Sequence, residues 1–271
     1  MLKFKVKLNN LYNSIFKKKN SCSLIIKVFK IQSLSIQNLS KNYSPEDILK
    51  LINPPENIGS INEMNEILDN EEYLTLIEKP FFEKISPIIE QIAKSGVEGD
   101  LVFIGIYRGG GALYLKSLFH KFGMNNTCWL FDSFDGFEKP FFSNKKNSAI
   151  DLFTNKGKFR KQPQPKDVQQ LFEKYNLHQN LKIVEGFVEE TLPVNEIQKI
   201  AFLHVDVDIY EPTLTSLQYL YPKLSLGGWV VIDDYAAEIF NCKEAVETYR
   251  SNNKIDQLLI PLGNYPVGWK K

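Results

Sequence analysis

The sequence predicts a doubly wound α/β protein, with a mostly parallel sheet that follows an N-terminal helical extension. Three observations carry that expectation. From Asp100 onward, short apolar runs alternate with amphipathic stretches. The first run leads into glycines that open a helix, and three later runs end directly in aspartate. Alternation of this kind belongs to buried parallel strands joined by crossover helices.

The chain has 271 residues, room for one sizeable α/β domain with an appended segment. Hydrophobic residues make up 43% and charged residues 24%, ordinary globular usage that excludes a disordered or fibrous chain. Cys22, Cys128 and Cys242 are odd in number and lack C-x-x-C spacing. That argues against a disulfide framework or thiolate zinc site and for a reducing, cytoplasmic setting.

Residues 1–45 form a basic arm with nine Lys and no Asp, Glu or Arg. The other 226 residues hold 24 basic and 32 acidic side chains, so a net of +1 hides an asymmetry of +9 against −8. Such an arm is either a solvated terminus or a contact for an anionic surface. It does not read as a convincing secretory signal, because Lys27 interrupts its apolar Leu24–Ile26 stretch. Nowhere does an apolar run reach the ~20 residues that a membrane span needs.

A helical extension is expected over 46–96. Ser44-Pro45-Glu46-Asp47 reads as its start, with Ser44 as cap and Pro45 in the first turn. Further on, Ile85, Ile88, Ile89 and Ile92 recur at helical spacing before Gly96 and Gly99. The catalytic domain is expected over 97–271. Its strands are read at Leu101–Ile104, Cys128–Phe131, Leu181–Val184, Ile200–Val205, Trp229–Ile232 and Leu258–Ile260, with a helix over Ala112–Phe122. Residues 137–165 are polar, rich in Lys and Pro, and too long for an ordinary connection, which predicts a lid-like insertion.

Three signals carry chemistry. Gly105-Ile106-Tyr107-Arg108-Gly109-Gly110-Gly111 is a strand-to-helix turn at which a backbone can approach a ligand and a helix start offers N–H groups. Asp132 ends the next strand, at the distance where an acid can accept hydrogen bonds from ribose hydroxyls. These two features suit a nicotinamide dinucleotide as well, although Gly105 to Gly109 does not complete G-x-G-x-x-G. The third signal is a pair of strands ending in Asp206-Val207-Asp208 and Asp233-Asp234. If they are neighbours, their ends lie roughly 5 Å apart and the crowded carboxylates call for a cation. An all-oxygen donor set suits Mg²⁺, Mn²⁺ or Ca²⁺ rather than zinc. His204, in phase with Asp206, is either a second general base or a buried histidine.

Together these blocks resemble the TylF family, the S-adenosylmethionine (SAM)-dependent macrocin O-methyltransferases. The shared motifs are Gly105–Gly110, Asp132–Gly136, Gly186-Phe187 with Thr191-Leu192-Pro193, Asp206–Thr213, Leu220–Gly228, Asp233–Tyr235 and Cys242–Val246. The resemblance covers about residues 97–271 and implies a Rossmann-like class I methyltransferase fold with seven strands. It further implies that Gly105, Tyr107, Arg108 and Gly109 line the methionine part of SAM and that Asp132 holds the ribose with Ser133 beside it. Gly186 and Phe187 complete the cofactor site. Asp206, Asp233 and Asp234 would hold a divalent cation such as Mg²⁺, and Asp206 would also take the acceptor's proton.

The implied acceptor is a small molecule bearing a sugar or glycoside hydroxyl. No nucleic acid partner is expected, and a homo-oligomer is compatible with the family. The rival readings are another enzyme on this scaffold, hydroxylase-like or NAD-dependent, and a degenerate SAM-binding protein. The chain departs from the family at Phe103, where an acid usually holds the cofactor's amino group. Either the ring faces the cofactor as a cation–π surface or it faces the core as packing.

Overall fold

The computed structural model describes residues 43–56, 70, 72–136, 163–238 and 240–271. The basic arm up to Asn42 and residues 137–162 of the expected insertion lie outside these residues.

The first described helix, α1 (Pro45–Ile52), begins as its sequence dictates. Asp47 N donates to Ser44 Oγ at 3.1 Å, and Ser44 N donates to Asp47 Oδ2 at 3.3 Å, a reciprocal capping box. Helix α2 (Lys79–Lys94) turns Phe81, Phe82, Ile85, Ile88, Ile89 and Ile92 inward along one face. Pro80 sits in its first turn, where no N–H is needed. Both helices pack on α3 (Gly110–Lys121), so the extension is built into the core.

Seven strands make one sheet: β1 (Asp100–Ile104), β2 (Cys128–Asp132), β3 (Leu181–Glu185), β4 (Ile200–Val205), β5 (Leu224–Ile232), β6 (Ile260–Pro261) and β7 (Val267–Lys270). Their order is β3-β2-β1-β4-β5-β7-β6, with β1 to β5 parallel and β7 antiparallel between β5 and β6. The sequence order of the parallel strands reverses along the sheet between β1 and β4. That junction is the place where such sheets open a crevice for ligands.

The remaining helices are α4 (Pro165–Lys174), α5 (Val188–Thr191), α6 (Tyr210–Leu220) and α7 (Cys242–Asn252). Period-two alternation splits the strand side chains between two cores. Leu101, Phe103, Leu130 and Val231 join α1 to α4 on one face; Val102, Ile104, Phe131, Leu203 and Val230 join α6 and α7 on the other.

Two expectations change in detail. The sixth strand shrinks to Ile260–Pro261, because Leu258 is 77% exposed and outside the sheet. The last strand, Val267–Lys270, has only four residues and is buried on both faces, so it shows no alternation to read. Among the described residues no helix is long and apolar enough to cross a membrane. Cys128 and Cys242 are buried free thiols, pushed up to about 12 and further still, respectively, by burial.

Candidate active site

The chemistry-bearing residues converge at the carboxyl ends of β1 to β5, around the β1/β4 junction. Gly105 follows β1 with a φ of +74°. A Cβ there would lie 1.8 Å from the Asp206 carbonyl oxygen, so only glycine lets the β1 and β4 ends come this close. Asp206 N completes the contact by donating to Ile104 O at 2.8 Å.

Asp132, the last residue of β2, reaches across to this turn. Its Oδ2 accepts from Ile106 N at 2.8 Å and Tyr107 N at 3.1 Å, and its Oδ1 accepts from Phe134 N at 2.8 Å. Burial raises its carboxyl above the ordinary range, and these three N–H donors work against the rise. Three of about four lone-pair sites are therefore occupied. One acceptor site on Oδ1 is left by these bonds.

The rest of the expected cofactor set shows mixed employment. Gly186 N donates to Asp132 O at 3.0 Å, which places Gly186 and Phe187 beside the second strand's end. Ser133 Oγ donates to Gly136 O at 2.6 Å and accepts from Asp135 N, closing its own turn. Tyr107 sits in left-handed backbone, φ 51°, with a buried hydroxyl that has no hydrogen-bond partner among the described residues. Arg108 stacks over Tyr107 and donates from one guanidinium nitrogen to Asn70 O at 2.8 Å and Tyr73 O at 2.9 Å.

The turn is thus clasped by the chain segment that precedes α2. Gly110 N donates to Leu74 O at 2.9 Å, and a Cβ on Gly110 would meet that oxygen at 2.4 Å. Part of the glycine run serves this close crossing rather than a ligand. Gly109 faces Val168 of α4 instead.

At the ends of β4 and β5, Asp206, Asp208 and Asp234 each bring a carboxylate oxygen to within 4.8 Å of the others. Asp208 gets there through left-handed backbone, φ 58°. All three carboxyls are held well above the usual carboxylate range, first by burial and then by their neighbours' charges. For Asp206 the largest of those charges is Asp233. Asp233 lies on the same strand end but turns Oδ1 toward His204 Nε2, 3.8 Å away. The sequence reading grouped Asp233 with Asp206 and Asp234; the tightest trio contains Asp208 in its place.

Phe103 settles on the core side. Its ring is buried with centroids 6.0 Å from Phe202 and 6.2 Å from His204, so it fills space and offers no face to a cofactor.

A family model described as macrocin O-methyltransferase (TylF) matches residues 70–271, three quarters of the chain. The chain belongs to this family. It is therefore a SAM-dependent O-methyltransferase with the class I fold. Mycinamicin III 3''-O-methyltransferase of Micromonospora griseorubida is 29% identical over 209 residues, which cover 73% of this chain and 78% of that protein. Demethyldecarbamoylnovobiocin O-methyltransferase of Streptomyces niveus is likewise 29% identical over 209 residues, 73% of this chain and 75% of the relative. Among solved structures, the O-methyltransferase NovP superposes with a TM-score of 0.69 at 26% identity, covering 84% of this chain and 97% of that one.

The family match begins at residue 70, well before the glycine turn, and so includes the clasping segment of the methyltransferase. Asn70 and Tyr73 carried no signal in the sequence, since both act through backbone carbonyls. Asp208 was visible as part of D-x-D-x-Y-E-x-T, but its proximity to Asp234 depends on a backbone turn that the motif does not reveal.

Proposed function

We propose that the methyltransferase moves the methyl group of SAM to a hydroxyl of a sugar or glycosylated small molecule, in a site that also takes a divalent cation. The sugar acceptor is supported by a relative from Streptomyces olivaceus, 31% identical over 185 residues, that is named as the 4'-O-methyltransferase of a rhamnosyl tetracenomycin. The observation that carries the cation is the carboxylate trio of Asp206, Asp208 and Asp234, within 4.8 Å of one another.

The donor set fits such an ion. Oxygens that share one cation can be separated by at most twice the metal–oxygen distance, about 4.2 Å for Mg²⁺ and about 4.8 Å for Ca²⁺. The trio's oxygens lie within 4.8 Å of one another, and the neighbouring charges that help raise these carboxyls are those that a cation relieves. Asp206 and Asp234 of this trio would hold it, joined by Asp233, whose charge bears most on Asp206; Asp208 is left as the fourth acid. A bound cation supplies Lewis-acid polarisation that makes a sugar hydroxyl more acidic.

A carboxylate that ligates a cation loses basicity, so the fourth acid is the better proton acceptor. On this reading Asp208 takes the proton that the sequence assigned to Asp206. As the acceptor oxygen bonds to the methyl carbon, the carbon–sulfur bond breaks, its electron pair stays on sulfur, and S-adenosylhomocysteine results. Asp132 holds one ribose hydroxyl with its open site while its other contacts keep the Gly105–Tyr107 turn in place. The clasp by Asn70 and Tyr73 keeps Arg108 and that turn rigid, so the reacting groups are already oriented.

The test is methyl transfer from labelled SAM to a panel of glycosides with Mg²⁺ and after EDTA treatment. Asp206→Asn and Asp233→Asn should abolish transfer while SAM binding stays nearly intact. Full activity in EDTA contradicts the cation role.

A further inference from the structure

His204 faces Asp233 at the ends of β4 and β5, and the reaction as described gives His204 no part. His204 lies on β4 two residues before Asp206; Asp233 follows β5, which pairs with β4. Their side chains are 3% and 13% exposed. His204 Nε2 and Asp233 Oδ1 are both buried, and neither has a hydrogen-bond partner among the described residues.

Buried polar atoms without partners are rare and costly, so two of them pointing at one another need a reason. Their separation of 3.8 Å is too long for an N–H···O bond. It is also too short for a bridging water, which would need roughly 4.5 Å or more at two normal bond lengths. A contraction of under about 1 Å joins them directly. The imidazole lies against aromatic rings, with centroids 5.7 Å from Phe81 and 6.2 Å from Phe103, and its Nε2 has no other hydrogen-bond partner among the described residues. In this setting Phe103 also finds its role, because an acid at that position would compete with Asp233 for the imidazole.

We propose that His204 is a positioning residue, whose Nε2–H binds Asp233 Oδ1 and aims the other carboxylate oxygen at the cation site. The inference rests on the cation reading given above. It assigns His204 neither to substrate nor to proton transfer. A carboxylate held by one oxygen pays less ordering cost when the other oxygen takes a ligand, and partners of this sort typically contribute ten- to a hundredfold to metal affinity, as an order of magnitude.

The experiment is a titration of the metal-free full chain with Mn²⁺, with free ion followed by electron paramagnetic resonance. It compares wild type with His204→Phe, His204→Asn and His204→Gln, alongside S-adenosylhomocysteine calorimetry and melting temperatures. Wild type should bind Mn²⁺. His204→Phe, which fills the space without a donor, should bind it about tenfold more weakly. His204→Gln, which can place an N–H near the Nε2 position, should recover most of the affinity. S-adenosylhomocysteine affinity should stay the same throughout. If His204→Phe does not fold, the comparison of His204→Asn with His204→Gln decides, since the shorter amide does not reach Asp233. Equal Mn²⁺ affinity across folded variants overturns the positioning role and leaves the cation reading standing. Absence of Mn²⁺ binding by wild type overturns the cation reading and this inference with it.

Discussion

Asp132 shows how one side chain serves two purposes. Its carboxylate ties the β1 turn to β2 with three backbone N–H bonds and keeps one acceptor site open. Asp132→Ala should therefore weaken SAM by about 1–3 kcal/mol and also lower the melting temperature, because Ile106 and Tyr107 lose their acceptor. Calorimetry and a thermal scan check the pair; unchanged affinity would place the ribose elsewhere. Phe103 gives the opposite case. Phe103→Glu buries a carboxylate among Phe81, Phe202 and His204, so it should destabilise the fold by about 3 kcal/mol or more without tightening SAM. Thermal unfolding beside a SAM titration checks this; a stable variant with tighter SAM binding would put the ring in the cofactor site. At this scale the strand-end acids were legible, since aspartate after an apolar run is a local pattern. The partners of Arg108 were not: they are carbonyls of residues 38 and 35 positions away.

At the scale of elements, the glycine run divides into positions with different reasons. Gly105 permits contact between β1 and β4, and Gly110 permits the crossing of Leu74 over the start of α3. Gly105→Ala should prevent folding, because the clash is with backbone inside the sheet. Gly110→Ala should spare the sheet and loosen the clasp, seen as faster proteolysis near residue 74 with a smaller loss of melting temperature. Equal effects would mean that the clasp and sheet form one cooperative unit. Helix α2 and the parallel strands were readable from their periodicity. Strand β7 was not, as its residues are buried on both faces and its pairing with β5 is antiparallel and long-range.

For the whole molecule, the carboxylate cluster links stability to pH. Asp206, Asp208 and Asp234 have folded pKa values raised above their unfolded values, chiefly by burial. The metal-free protein is thus favoured while these groups keep their protons, and it loses that stability as pH rises from the ordinary carboxylate range through the raised values. A cation bound at these acids would reverse the trend by replacing protons. Mg²⁺ should raise the melting temperature over an EDTA control more at about pH 8 than at about pH 5.5. A Mg²⁺ effect that is equal at both values would detach the cation from these acids. The architecture follows from the same charges: β4 and β5 are adjacent, so their terminal aspartates cannot avoid one another.

The central claim is that the crevice at the β1/β4 junction holds SAM beside a cation bound at the ends of β4 and β5. Its most direct test is the anomalous difference map of crystals grown with S-adenosylhomocysteine and Mn²⁺. A manganese peak is expected within bonding distance of Asp206 and Asp234, next to density for the thioether across the Gly105–Tyr107 turn. Well-ordered S-adenosylhomocysteine with no manganese peak between those aspartates would contradict it.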